Sequence, residues 1–298
     1  MSISSFSKTL TITGHAGSVY ALAQDNNFIY SASGDKFIAR WNKQTGEQDA
    51  FSIKLPEIPF SIALVAHNSK LIVGLQSGVI VVFDLISRLE IKSFQGHNYA
   101  IFSFCENPLL GYVYSADANG NICVWEAKSF ELIIKLPTNA GKIRRLIMHE
   151  SNSSFVACCQ DGTLRRFDTA TFNELTTFGN HTHGASCFLD LSPSFSVSGG
   201  KDAQVCIWNN DTNQMVFNFP AHRYVIYDCL SFFNGKLLVT ASRDKSIKIW
   251  DTSTWQLVQK IDAKQGGHRF SVNALMKQNE HSFVSCSDDN SIICWSIL

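Results

Sequence analysis

Along most of the chain, apolar residues come in short runs separated by polar or glycine-containing turns. The stretch from 225 to 261 shows the rhythm well: Val225–Leu230, Lys236–Ala241, Ser246–Ile249 and Gln256–Ile261, with Asn234-Gly235 and Arg243-Asp244-Lys245 between runs. Runs this short, rich in β-branched and aliphatic residues and bounded by turn formers, predict strands rather than helices. They come four to a unit, and the unit recurs. An aromatic anchor marks each copy: Trp41, Phe83, Trp125, Phe167, Trp208, Trp250 and Trp295, at intervals of 42, 42, 42, 41, 42 and 45 residues. Four strands in about 42 residues is the pattern of a propeller blade. One such sheet cannot bury both faces, whereas sheets packed side by side around a ring do so and shield most edges. The prediction is an all-β fold: a seven-bladed β-propeller of four-stranded antiparallel blades.

A second pattern sits on the first. Gly14-His15, Ser33-Gly34-Asp35 and Trp41-Asn42 recur as Ala221-His222, Ser242-Arg243-Asp244 and Trp250-Asp251, and again as Gly267-His268, Ser287-Asp288-Asp289 and Trp295. These motifs resemble the WD40 repeat, and the seven units carry the resemblance over nearly the whole chain. The resemblance implies that the His, Ser, Asp and Trp of one blade form a hydrogen-bonded tetrad. On the matching positions these are His15, Ser33, Asp35 and Trp41; His222, Ser242, Asp244 and Trp250; and His268, Ser287, Asp289 and Trp295. Blade five keeps His181, Asp202 and Trp208, with Gly200 in the Ser place. Blade three keeps His97 and Trp125, with Asp117 and Asn119 in the Ser and Asp places. Blade four offers Asn139, Cys159, Asp161 and Phe167, and blade two only Ser77 and Phe83, so both must rely on apolar packing. Only Ser296, Ile297 and Leu298 follow the last anchor, which leaves blade seven one strand short. The resemblance implies that Phe6–Ile12 supplies it and latches the ring, making residues 1–298 one domain.

Composition narrows function by exclusion. Lys plus Arg equals Asp plus Glu at 25 each, giving a net charge of zero. No global field and no basic run support counterion-driven binding, which disfavours nucleic acid as a partner. The longest apolar stretch, near Val79–Phe83, is far too short to span a membrane, and the N-terminus lacks the pattern of a signal peptide. The nine cysteines contain no CxxC pair and read as reduced, mostly buried thiols of a cytoplasmic protein.

Candidate chemistry is mostly absorbed by the repeat. His222, Ser242 and Asp244 have the composition of a nucleophilic triad. The same trio recurs as His15, Ser33 and Asp35 and as His268, Ser287 and Asp289, which is how a structural brace behaves. His181 and His183 have a spacing that suits a metal, but no third ligand is evident. Gly199-Gly200 and Gly266-Gly267 read as turn or bulge glycines, since neither pair has the Lys-Ser/Thr of a phosphate loop. No cofactor and no metal is expected.

What remains is a face. The resemblance implies partner binding at the turn before the tetrad Asp and at the start of each first strand. The residue five after the His slot reads Tyr20, Ala63, Phe102, Arg144, Ser186, Tyr227 and Asn273 through the seven blades. The residue before the Asp slot reads Gly34, Gln76, Ala118, Gln160, Lys201, Arg243 and Asp288. Tyr20, Phe102, Arg144, Lys201, Tyr227 and Arg243, with Lys142 two residues before Arg144 on the same face, therefore form the expected partner-binding set, suited to a protein partner of acidic or phosphorylated character. The expected function is a non-catalytic interaction scaffold. The competing expectation is a small-molecule binder or enzyme using the central channel, which would need unpaired carboxylates or histidines converging from several blades.

Overall fold

A computed structural model of the protein describes residues 5–297, so Met1–Ser4 and Leu298 lie outside the described residues. Twenty-eight strands, numbered β1 to β28 in chain order, form seven four-stranded antiparallel sheets. Six sheets are built from consecutive strands. The innermost strands of blades one to seven are β2 (Val19–Gln24), β6 (Pro59–Val65), β10 (Ile101–Asn107), β14 (Ile143–Met148), β18 (Ala185–Asp190), β22 (Ile226–Phe232) and β26 (Val272–Asn279). Each contacts the next in order, and β26 contacts β2, which closes the ring.

The seventh sheet joins the two ends of the chain. Strand β1 (Phe6–Ile12) pairs antiparallel with β28 (Ile292–Ile297), from Phe6 opposite Ile297 to Ile12 opposite Ile292. Phe6 is buried with its ring centroid 5.2 Å from that of Phe232 and 5.0 Å from that of Phe283, so the latch strand also seals blade six against blade seven. The Gln259 side chain exchanges hydrogen bonds with the Phe6 backbone across the same seam, at 2.9 and 2.8 Å.

Burial follows sheet position. Second strands such as Ser154–Cys159 and Ser282–Ser287 are buried along their whole length, because both edges are paired and both faces lie between blades. Outer strands such as Leu132–Pro137 are mostly exposed. Apolar clusters span neighbouring blades: Tyr30, Phe51, Leu71, Val73 and Phe83 knit blades one and two together.

The tetrads are present, but with a different hydroxyl. In blade one His15 Nδ1 lies 2.9 Å from Asp35, His15 Nε2 lies 2.7 Å from Ser31 Oγ, and Trp41 Nε1 donates to Ser31 Oγ at 2.7 Å. Blades six and seven use Thr240 and Ser285 in the same way. Ser33, Ser242 and Ser287 are therefore not the tetrad hydroxyls. They cap the turn instead: Ser33 Oγ donates to Gly17 O at 2.9 Å and accepts from Asp35 N at 3.2 Å. The pleat explains the two-residue offset. Residues two apart share a face, so 31 and 33 face the same way, but only 31 lies deep enough to meet the indole of the next strand.

With that hydroxyl, two further blades carry complete tetrads. Blade five uses His181, Ser198, Asp202 and Trp208, and blade three uses His97, Ser115, Asp117 and Trp125. Asp117 is thus the acid of blade three, not a stand-in for Ser, and its side chain is also anchored by Asn121 at 2.9 Å. Gly199 and Gly200 lie within a strand rather than a turn. A Cβ at Gly200 would stand 2.5 Å from His181 Nδ1, and one at Gly199 2.8 Å from Cys187 Sγ, so close packing requires both glycines. In blades two and four the hydroxyl position holds Val73 and Ala157, and no tetrad forms.

Donor roles follow by elimination. An indole N–H only donates and a carboxylate only accepts, so the His Nδ1–H donates to Asp while Nε2 accepts from the hydroxyl. Burial pushes the His222 pKa down, against the pull of Asp244. Burial alone would raise the Asp35, Asp117 and Asp202 carboxyls, but backbone N–H groups and the His rings hold them below their ordinary range. The hydroxyls of Ser31 and Thr240 are fully buried and already bonded on both sides, which leaves neither free to act as a nucleophile.

Candidate partner-binding site

The innermost strand of every blade carries a β-bulge at the same place. Register slips between Val19 and Ala21, Pro59 and Ser61, Ile101 and Ser103, Ile143 and Arg145, Ala185 and Cys187, Ile226 and Asp228, and Val272 and Ala274. The extra residues are Tyr20, Phe60, Phe102, Arg144, Ser186, Tyr227 and Asn273. A bulge residue leaves the alternation of the strand and re-aims its side chain. All seven line one cavity of about 510 Å³ at the mouth of the ring, together with Ser18, Ala21, Arg145, Phe270 and Asp288.

Chemistry in the mouth is laid out by blade. Tyr20, Phe60 and Phe102, from blades one to three, form a continuous arc, with Phe60 5.3 Å from each neighbouring ring. The Arg144 side chain of blade four lies between two rings, its guanidinium carbon 5.3 Å from the Phe102 centroid and 5.2 Å from that of Tyr227. Blade five contributes the small Ser186, which leaves room for that reach. Arg144 makes no hydrogen bond or ion pair among the described residues. Lys142 Nζ sits 4.6 Å from the Phe102 centroid. Burial, then the neighbouring Arg144 and Lys201 charges, push the Lys142 pKa down, and burial pushes Arg144 down as well. An uncompensated cationic wall results. Across the ring, Asn273 Nδ2 donates to Val19 O at 2.9 Å and to Asp288 Oδ1 at 2.8 Å, tying blade seven to blade one.

One residue deeper, Arg145 reaches past Cys187 to Asp228 at 3.2 Å, and Asp228 also accepts from Leu275 N at 2.9 Å. Arg145, Phe102 and Ala21 line both the mouth and a second cavity of about 470 Å³ below it, and so form the waist of the channel.

Of the expected partner-binding residues, Tyr20, Phe102, Arg144 and Tyr227 meet in the mouth. Lys142 stands over Phe102, and Lys201 is exposed near it. Arg243 is exposed, its backbone N–H bonded to Val225 O at 3.0 Å, and does not line the cavity. The blade-two position is Phe60, not Ala63. With no His to count from, the register in that blade is displaced by three residues. Counting back from the aromatic anchor finds it: Phe60 lies 23 residues before Phe83, as Phe102 lies 23 before Trp125 and Arg144 23 before Phe167.

Seven bulged four-stranded blades, five of them with tetrads, define a class, a propeller built to present one residue per blade at a common opening. The family described as WD domain, G-beta repeat matches residues 6–42, 89–126, 213–251 and 257–296, and the chain belongs to the WD40-repeat family. The chain is 24% identical over 310 residues to the kinesin-like protein KIF21B of Mus musculus, covering 92% of this chain but 18% of that protein. It is 22% identical to a p21-activated protein kinase-interacting protein 1-like of Danio rerio, over 79% of this chain and 62% of that one. A eukaryotic translation initiation factor 3 subunit I of Nematostella vectensis is also 22% identical, covering 65% of this chain and 63% of that protein. The chain thus spans less than two thirds of each of these relatives.

Proposed function

We propose that this protein is a non-catalytic scaffold that holds a protein partner, of acidic or phosphorylated character, at the mouth of the ring. The carrying observation is the set of seven aligned bulges, which deliver four aromatic rings and an unpaired Arg144 to one opening. Tyr, Phe and Arg in a rigid, partly desolvated site are the usual energetic centre of a protein interface. Relatives whose names describe kinase interaction and an initiation-factor subunit fit the same reading. The mouth is lined by one carboxylate, Asp288, and the channel acid Asp228 is held by Arg145, so the lining carries no converging acids of the kind a hydrolytic site needs. Nine free thiols, eight of them buried, suit the reducing cytoplasm.

The test is affinity purification from the native cell, comparing wild type with Tyr227→Ala/Arg144→Ala. A genuine partner is recovered by wild type and lost by the variant, at an unchanged melting temperature. Equal recovery by both rejects this face.

A further inference from the structure

The mouth is bipolar. Arg144, Lys142 and Lys201 stand on blades four and five, with no carboxylate paired to them among the described residues. Asp288 stands on blade seven, three blades from blade four one way around the ring and four the other. Its Oδ1 accepts from Asn273, and its Oδ2 has no protein hydrogen bond among the described residues. Between the poles runs the aromatic arc of Tyr20, Phe60 and Phe102. Each wall therefore lacks the partner that another part of a ligand would supply.

We infer that the mouth recognises a short peptide segment of the partner carrying three features in order: an acidic side chain for Arg144, a large apolar side chain for the arc, and a basic group for Asp288. This rests on the scaffold reading and adds the ligand's chemistry and direction. Two observations favour a carboxylate at the cationic pole. The Arg144 guanidinium lies against the Phe102 and Tyr227 rings and its N–H groups have no protein partner among the described residues, which leaves them to a planar carboxylate. Lys142 is turned onto the Phe102 ring rather than into a multidentate anion cradle. A cavity of about 510 Å³ is roughly 10 Å across, and an extended chain advances about 3.3 Å per residue, so three or four residues separate the poles. The waist of Arg145 and Phe102 narrows the path below, and the segment enters and leaves by the mouth, as the tip of a loop or a chain end does.

The experiment is selection of a random peptide library on the full chain, followed by fluorescence anisotropy of enriched peptides. Enrichment of an acidic residue three or four positions from a basic one, with an aromatic or aliphatic residue between, is the expected result. Arg144→Met then weakens binding about tenfold or more and abolishes the preference for the acid, as loss of a charge-assisted hydrogen bond does. Asp288→Asn abolishes the preference for the basic residue alone. Enriched peptides that ignore both variants, or that bind equally well with their two charges exchanged, overturn the inference. So does a phosphoserine version that binds tenfold more tightly than the carboxylate, because a phosphate cradle is then the true site. If the cellular partner is still lost by Tyr227→Ala/Arg144→Ala while the peptides show no such order, the scaffold reading stands and only the bipolar one falls.

Discussion

Blades two and four differ from the other five in how their strands are held. The five carry a polar chain running from indole to hydroxyl to imidazole to carboxylate, every buried donor and acceptor in it matched. The two carry apolar replacements: Val73 and Phe83 in blade two, Ala157 and Phe167 in blade four. In blade four, Phe155 stacks on Phe167 at 5.2 Å with an interplanar angle of 15°, and also packs 4.7 Å from Tyr114 of blade three. Both solutions close the same sheet. A complete network and a fully apolar filling are each self-consistent, and a hybrid of the two is not.

The largest expected effect tests the apolar solution. Phe155→Ala opens a cavity where two rings packed and should cost about 3–5 kcal/mol in a denaturant titration. A cost below about 1 kcal/mol means blade four is held by something other than this stack. Next comes the polar solution. Thr240→Val keeps the shape but strands the Trp250 N–H and His222 Nε2, and should cost about 2–3 kcal/mol in all. A neutral result would deny the tetrad its role. The hybrid follows: Ala157→Ser places a hydroxyl where blade four has neither His nor Trp to answer it, and should destabilise by about 1 kcal/mol.

Acid separates the two kinds of blade without mutation. The folded-state pKa of His222 is depressed, so the unfolded chain binds the proton more readily. The associated stability is present above the ordinary value of about 6.5 and is lost as pH falls below it. The tetrad carboxyls are also depressed, and their share is lost below about pH 4. Hydrogen exchange should therefore show blade six loosening as pH falls below about 6.5, ahead of blades two and four. Simultaneous loss in all three contradicts this order. The smallest effect belongs to the mouth: Arg144→Met should leave the melting temperature unchanged or raise it by about 1–2 °C, since it removes an unpaired cation from a half-buried site. A marked drop would make Arg144 a structural residue.

The anchors and the strand rhythm made the ring legible, because a period of about 42 survives when individual residues vary. The latch strand was legible too, since blade seven lacked a fourth strand. The identity of the hydroxyl was not. Two serines on one face of a strand, Ser31 and Ser33, look equivalent in a linear pattern, and depth within the sheet separates them. Phe60 was missed for a related reason: blade two has no His, so a count started from that slot had nothing to stand on. The bulges themselves leave no mark in the pattern, because one extra residue in a strand is seen only against its partner.

Those bulges have a consequence for how such a surface changes over time. The bulge residue stands outside the ladder and outside the tetrad, so its identity is not dictated by the strand pairing that supports it. Tyr, Phe, Arg, Ser and Asn already occupy the place in different blades of this one ring. At five of the seven places, Tyr20, Phe60, Phe102, Arg144 and Tyr227, the mouth therefore behaves as a register in which each digit is rewritten by a single codon, while Ser186 and Asn273 bond the neighbouring blade and keep the frame as it was. A duplicated copy of this chain could acquire a new client by drift at those five positions, which stability leaves largely unconstrained.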